Sequence, residues 1–138
     1  MKNWPLKEDA HHYLCRASIG LFLTSLVTVG IVESEGREYG LELLVSGPLA
    51  VLLGVYAWFA NPLYGLSLLI SKKWPLVAIC LILAALILGA SSINLKVVPY
   101  SAERVGKVLG FGLGYYLWLA SFAVALLASL SQALKSKP

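Results

Sequence analysis

The sequence predicts an all-α membrane protein, with four transmembrane helices packed in a bundle and a kink in the second helix. Its 138 residues are 59% hydrophobic and only 13% charged, whereas a soluble domain has about 45–50% apolar and about 25% charged residues. A soluble chain of this length would also need many polar residues to cover its surface. The composition therefore excludes a soluble enzyme, a disordered tail and a nucleic-acid-binding domain, and it makes the lipid bilayer the first expected partner.

Charged residues divide the chain into long apolar tracts. A helix needs about 20 apolar residues to cross the bilayer core, and the uncharged runs are 17–32, 43–71, 74–95 and 108–134. The last three runs are long enough, and the first becomes so when it is extended back toward His12. Within one domain, 1–138, the predicted spans are 12–32, 48–70, 75–93 and 105–131.

Prolines mark the predicted starts of the second and third helices. Pro48 and Pro75 each suit a first helical position, where the missing N–H group costs nothing. Ser101 suits the N-cap of the fourth helix, with Glu103 in its first turn. A cleaved signal peptide is a weaker alternative for the first apolar run, because Glu8 dilutes its basic start and no A-x-A cleavage site follows it.

Basic residues favour one orientation in the membrane. With the amino terminus inside, the inner segments hold seven Lys and Arg and the outer segments four, so the positive-inside rule places both termini in the cytoplasm. The net charge of +4 is then a topology signal and does not indicate nucleic acid. The sequence also predicts an outer acidic loop. A solvated surface is the first interpretation of this loop, and a site for cations or for a basic partner is the second. Its acidic residues are Glu33, Glu35, Glu38 and Glu42.

The pattern G-x-Y-x-W-x-A occurs twice, at 54–60 and at 114–120. It places Trp58 and Trp118 near the middle of the second and fourth spans, where a buried indole N–H needs a hydrogen-bond acceptor. Asn61 and Ser121 each follow a tryptophan by three residues, and either could supply polar contacts, including to a neighbouring helix. Duplication of a helical hairpin and chance convergence both explain the repeat.

Asn61 and Pro62 fall at the centre of the second predicted span. Pro62 cannot donate to the carbonyl of Trp58, so a kink is expected there, and polar neighbours or water must satisfy the freed group. Two alternatives stay open: a kink that only shapes the bundle, and a span that ends at Ala60 with a turn after it. The predicted polar and aromatic site inside the membrane consists of Trp58, Asn61, Pro62, Tyr64, Trp118 and Ser121.

Small residues recur at helical spacing along the fourth predicted span. Such residues let helix backbones approach closely in lipid, where packing drives association. Packing inside one bundle is the first interpretation, and dimerisation through this span is the second. The predicted helix-packing residues are Gly106, Gly110, Gly114, Ser121 and Ala125.

No ionisable residue lies in the central part of any predicted span. Ion-coupled pumps and proton relays generally need one, and the small multidrug exporters, which are of similar length, carry an intramembrane glutamate that this first span lacks. The adjacent His11 and His12 point to different helix faces and form no strong ligand set with Cys15. We therefore predict no catalytic residues, no metal site and no cofactor.

Two segments resemble those of small, uncharacterised bacterial inner-membrane proteins. They are 56–64, YAWFANPLY, and 112–121, GLGYYLWLAS. The resemblance implies a bacterial plasma membrane and a compact four-helix fold, and it carries no catalytic residues across. In size and topology the chain is also similar to membrane immunity proteins against pore-forming bacteriocins.

These observations predict a non-enzymatic inner-membrane interaction protein, either an accessory subunit or an immunity-type protein. It would act through helix–helix contacts with another membrane protein or with a second copy of itself. The alternative is an oligomeric channel or facilitator for a small neutral solute, with Trp58, Asn61, Tyr64 and Trp118 along an uncharged pathway. A membrane enzyme is a weaker third possibility, which a cavity at Asn61 holding lipid or quinone would favour.

Overall fold

The computed structural model of the chain describes residues 6–99 and 105–135. The five α-helices are α1 (Leu6–Leu26), α2 (Gly40–Leu52), α3 (Ala60–Ile70), α4 (Pro75–Ser91) and α5 (Leu113–Lys135). The four strands are β1 (Val29–Glu33), β2 (Gly36–Tyr39), β3 (Val97–Pro99) and β4 (Val105–Phe111). Two short 3₁₀ turns cover Tyr56–Phe59 and Ser92–Asn94.

Long helices pack side by side, and a small sheet covers one end of them. Helix α5 is central, because it packs along α1 on one side and along α4 on the other, and α3 lies against α4. The strands form an antiparallel sheet in the order β2-β1-β4-β3. The end away from the sheet holds the turn 71–74, which joins α3 to α4.

The predicted bundle of four transmembrane helices is wrong. In the part of the chain that the structure describes, two helices are long and apolar enough to span a membrane. They are Pro75–Asn94, with a mean hydropathy of 2.7, and Leu113–Lys135, with a mean hydropathy of 1.8. Helix α2 has only 13 residues, and α1 carries Arg16 and two histidines within its length. The rest of the apolar sequence forms α1, the two short helices α2 and α3, strands and turns.

The first predicted span, 12–32, ends early because the sequence changes character at Val27. Five of the six residues in 27–32 are β-branched, a composition that favours strands over helices. Helix α1 therefore stops at Leu26, and β1 follows at Val29. A hairpin then pairs β1 with β2, with Glu33 opposite Gly36.

The second predicted span, 48–70, is two helices and not one kinked helix. Gly54 has a φ of +92°, a left-handed conformation that glycine adopts without strain, and it separates α2 from the 3₁₀ turn before α3. Pro48, predicted at a first helical position, lies inside α2. Pro62 is in the first turn of α3, where its missing N–H needs no partner within the helix, so no kink results.

The third predicted span agrees with α4, which begins at Pro75, but the fourth, 105–131, is wrong in its first part. Residues 105–111 form β4, and α5 begins only at Leu113. Two predicted helix-packing residues, Gly106 and Gly110, therefore lie on a strand, opposite Val98 and Val32. Glycine weakens a helix, and the valines of this segment favour a strand. The predicted N-cap Ser101 lies outside the described residues.

A tightly packed core holds the middle of the helices together. The Tyr64 ring lies 4.9 Å from the Phe122 ring and 5.1 Å from the Phe22 ring, measured between centroids. The outward faces of the helices are also apolar, so that Leu69 is 83% and Ile87 70% exposed. The buried members of the core are Ala60, Tyr64, Ile82, Ala85, Phe122 and Ala125.

Candidate functional site

A cavity of about 180 Å³ lies beneath the sheet. Its walls come from α2, from the end of α1, from the sheet, from the two 3₁₀ turns and from the ends of α3 and α5 nearest the sheet. Most of the lining is aliphatic, and it includes four aromatic side chains, Trp58, Phe111, Tyr115 and Trp118. The polar lining residues are Ser25, Glu38, Ser46, Asn61 and Ser92.

Trp58 is fixed against α2 by shape and by a hydrogen bond. Its indole Nε1 donates to the carbonyl oxygen of Leu44 at 2.9 Å. The ring lies over Gly47, where a Cβ atom would overlap it. A glycine in the middle of α2 therefore makes room for the indole, and the indole in turn ties α2 to the rest of the cavity wall.

Trp118 is fixed in the opposite wall by the side chain of Asn61. Its Nε1 donates to Asn61 Oδ1 at 2.8 Å, which joins α5 to the first turn of α3. The Trp118 ring also lies 6.1 Å from Tyr115, between centroids, and the Tyr115 hydroxyl donates to the carbonyl oxygen of Gly89 at 3.1 Å. Asn61 thus supplies the acceptor that a buried indole N–H requires.

Tyr64 and Phe122 lie one helical turn further from the sheet, in the core below the cavity. Ser18 Oγ donates to the carbonyl oxygen of Ser121 at 2.8 Å, so its one proton is used. The Tyr64 hydroxyl, 2.8 Å from Ser18 Oγ, must therefore donate to it. Neither Tyr64 nor Ser121 lines the cavity; both belong to the packed core.

The predicted polar and aromatic site is thus divided between two places. Trp58, Asn61 and Trp118 line the cavity, whereas Tyr64 and Ser121 are buried in the core below it. Pro62 is exposed beside Asn61 and does not reach the cavity.

The predicted helix-packing residues on α5 pack within the chain itself. A Cβ atom at Gly114 would lie 2.8 Å from the carbonyl oxygen of Thr28, so the start of α5 needs a glycine to approach the end of α1. Seven residues later, Ser121 accepts the bond from α1 described above. Ala125 is part of the core, and at Gly110, on β4, an added Cβ would meet no atom within 4 Å.

The four acidic residues do not form one outer loop. Glu33 is on β1 and only 3% exposed, and Glu35 is in the turn after it. Glu38 is on β2 and lines the cavity. Glu42 is in the first turn of α2, where its Oε2 accepts a hydrogen bond from the Tyr39 backbone N–H at 2.8 Å.

Sequence reasoning missed the α2 wall and the sheet that roofs the cavity. Two signals pointed to this wall: the run 43–71 is too long for one span, and Gly54 lies near its middle. Among the described residues no group of three or more His, Cys, Asp and Glu side chains is placed to hold a metal ion.

Comparisons with protein-family models, with curated proteins and with solved structures found no match to this chain. Its function therefore has to be inferred from the cavity and from the surface of the helices.

Proposed function

We propose that the chain is a multi-pass protein of the bacterial plasma membrane that binds a small apolar molecule beneath the sheet. The observation that carries this proposal is the cavity of about 180 Å³ with its mainly aliphatic and aromatic wall. Small-molecule sites are typically concave and apolar, with a few fixed polar groups. An apolar cavity of about 150 Å³ is enough to bind benzene, so this one accommodates a single substituted ring.

The apolar surface supports the location in a membrane. Helices α4 and α5 have the length and hydropathy to cross a bilayer, and large side chains on their outer faces, such as Ile87 and Leu134, are at least 70% exposed. Lys73 Nζ lies 4.9 Å from the centre of the Trp74 ring, at the end away from the sheet. Tryptophan favours either membrane interface and lysine favours the cytoplasmic one, which supports a cytoplasmic position for this end and an outer position for the sheet.

Contact with another membrane protein, or with a second copy of the chain, remains a prediction with less support. It depended on an uncharged interior, on small-residue faces of the predicted helices and on an aromatic, kinked second span, of which the kink is absent. Gly114, Ser121 and Ala125 pack within the chain, and Gly106 and Gly110 lie on β4.

A channel for a neutral solute also has less support than a binding site that ends within the chain. The cavity is lined by Asn61 and Trp118 but by no residue further from the sheet along α3 or α5. The next turn of each helix contributes Tyr64 and Phe122, whose rings pack at 4.9 Å between centroids. A pathway through the chain would have to displace this pair.

Fluorescence quenching tests the proposal on the full chain in a mild detergent. Replacing Trp4 and Trp74 with phenylalanine leaves Trp58 and Trp118, both in the cavity wall, as reporters. We expect saturable quenching by 2-bromonaphthalene. Ala50→Leu, which fills the cavity, should weaken the binding about tenfold or more, corresponding to about 1.4 kcal/mol.

The matched control is Ala90→Leu, which adds the same side chain at an exposed position of α4 and should leave the binding unchanged. Quenching that rises without saturation, equally in all three proteins, would show that the probe only dissolves in the detergent. That result would overturn the proposal.

A further inference from the structure

We infer that the cavity takes a flat ring bearing a carbonyl oxygen, of the quinone type, and that the side-chain amide of Asn61 donates to that oxygen. The inference rests on the proposed function, because it names the class of ligand for the same cavity. The hydrogen-bond donors in the cavity wall support it.

Asn61 is the exception among the buried and half-buried donors of the wall. Its Oδ1 accepts from Trp118, but its two Nδ2–H groups have no acceptor in the described part of the chain. The orientation of the amide is determined, since an indole N–H can only donate and must therefore face the oxygen. The donors that are already paired are Ser25 Oγ, Trp58 Nε1, Ser92 Oγ, the Tyr115 hydroxyl and Trp118 Nε1.

An amide donor without a partner in an apolar surrounding favours a ligand that brings an acceptor. Asn61 is half-buried, and Nδ2 is not one of the fully buried polar atoms without a partner, so Nδ2 keeps an open surface in the wall. A donor with an open surface in an apolar wall can bind an acceptor that enters the cavity. Because Trp118 holds Oδ1, the amide cannot turn to pair Nδ2 elsewhere without releasing the indole. A ligand oxygen at Nδ2 would complete the set of hydrogen bonds and leave the wall as it is.

The shape and chemistry of the other walls favour a flat ring. The centroids of Phe111 and Tyr115 are 4.5 Å apart, and those of Tyr115 and Trp118 are 6.1 Å apart, so three aromatic rings line one side of the cavity in succession. Aromatic rings pack well against other flat rings in offset or edge-on arrangements. Trp58 provides a fourth ring on the α2 side.

A pair of probes that differ only in their carbonyl groups tests the inference. Durene and duroquinone share one ring and four methyl groups, and duroquinone adds two carbonyl oxygens. Each would displace 2-fluoronaphthalene from the full chain in detergent, followed by ¹⁹F NMR. We expect duroquinone to compete at about tenfold lower concentration than durene, the effect of one good hydrogen bond.

Two variants remove the donors in different ways. Asn61→Asp keeps an acceptor for Trp118 but has no amide N–H, so it should abolish the preference for duroquinone and leave durene within twofold. If that variant does not fold, the double variant Asn61→Ala with Trp118→Phe removes both partners of the hydrogen bond and leaves no orphaned group. It should likewise bind the two probes equally.

The outcomes separate the two proposals. If 2-fluoronaphthalene binds saturably but durene and duroquinone compete equally in the native chain, the carbonyl inference fails and the apolar site stands. If no probe binds saturably, the proposed function fails with it. A quinone with a decyl chain distinguishes the sources of the ring: tighter binding than duroquinone indicates the head of a membrane quinone, and weaker binding indicates a small free compound.

Discussion

Two neighbouring regions of this chain share helices α3 and α5, yet one region is closely packed and the other encloses a cavity. Around Tyr64 and Phe122 the core residues are between 0% and 4% exposed, and the hydroxyl groups of Tyr64 and Ser18 are both paired. One turn nearer the sheet, Trp58, Asn61 and Trp118 surround about 180 Å³ of empty space.

This difference shows that the cavity does not result from poor packing throughout the chain. Protein interiors contain few voids larger than a water molecule, and the core residues below the cavity are almost completely buried. Two indole hydrogen bonds, from Trp58 to α2 and from Trp118 to α3, fix the positions of the tryptophan rings in the cavity walls. We conclude that the cavity is a built feature of the fold.

Truncation of a core ring should give the largest effect. Phe122 is 0% exposed, so Phe122→Ala should lower the free energy of unfolding by about 3–5 kcal/mol. Phe111→Ala removes the same side chain from a half-buried position in the cavity wall, so it should lower the free energy of unfolding by clearly less. Equal losses, measured by denaturant unfolding in detergent, would contradict the contrast between the closely packed region and the cavity.

The same enlargement should have opposite consequences in the two regions. Ala85 is 0% exposed in the core, so Ala85→Leu should destabilise the fold by about 1–3 kcal/mol through overpacking. Ala50 faces the cavity, where Ala50→Leu has room and should change stability little or raise it. Thermal unfolding of the two variants side by side checks this, and a large loss for Ala50→Leu would mean that the cavity is not empty space.

The smallest of these effects concerns Gly54, where the chain turns between α2 and the 3₁₀ turn before α3. Gly54 has a φ of +92°, so Gly54→Ala should cost about 1 kcal/mol, because a side chain is strained in that conformation. The control is Gly20→Ala in α1, where nothing lies within 4 Å of an added Cβ. That change should stabilise the helix by about 0.5–1 kcal/mol. If denaturant unfolding shows that both substitutions raise the free energy of unfolding, the left-handed turn at Gly54 is contradicted.

The sequence allowed some of this architecture to be predicted and concealed the rest for physical reasons. Pro75 marks the start of α4 because proline suits a first helical turn, and the long apolar segments of α4 and α5 follow from composition. The strands were missed because an uncharged apolar run is compatible with a buried helix and with a buried strand, and its hydrophobicity alone does not distinguish them. The β-branched residues of 27–32 and the glycines of β4 were the local signals.

The candidate site was partly visible for a different reason. A central tryptophan needs an acceptor, which drew attention to Trp58, Trp118 and Asn61, and these three residues line the cavity. Their partners could not be read from spacing, since the acceptor of Trp58 is a backbone carbonyl on α2 and that of Trp118 comes from another helix. Gly47 gave no signal, because its role depends on the ring that packs on it.

The most direct measurement is the position of a bound ring relative to the two cavity tryptophans. Intermolecular nuclear Overhauser effects from the methyl protons of durene to the indole protons of the full chain provide it. We expect nuclear Overhauser effects to the indole protons of both Trp58 and Trp118, and none to those of Trp74 at the opposite end of the helices. Effects to Trp74 and to outward-facing leucines, with none to Trp58 or Trp118, would contradict the proposed binding site.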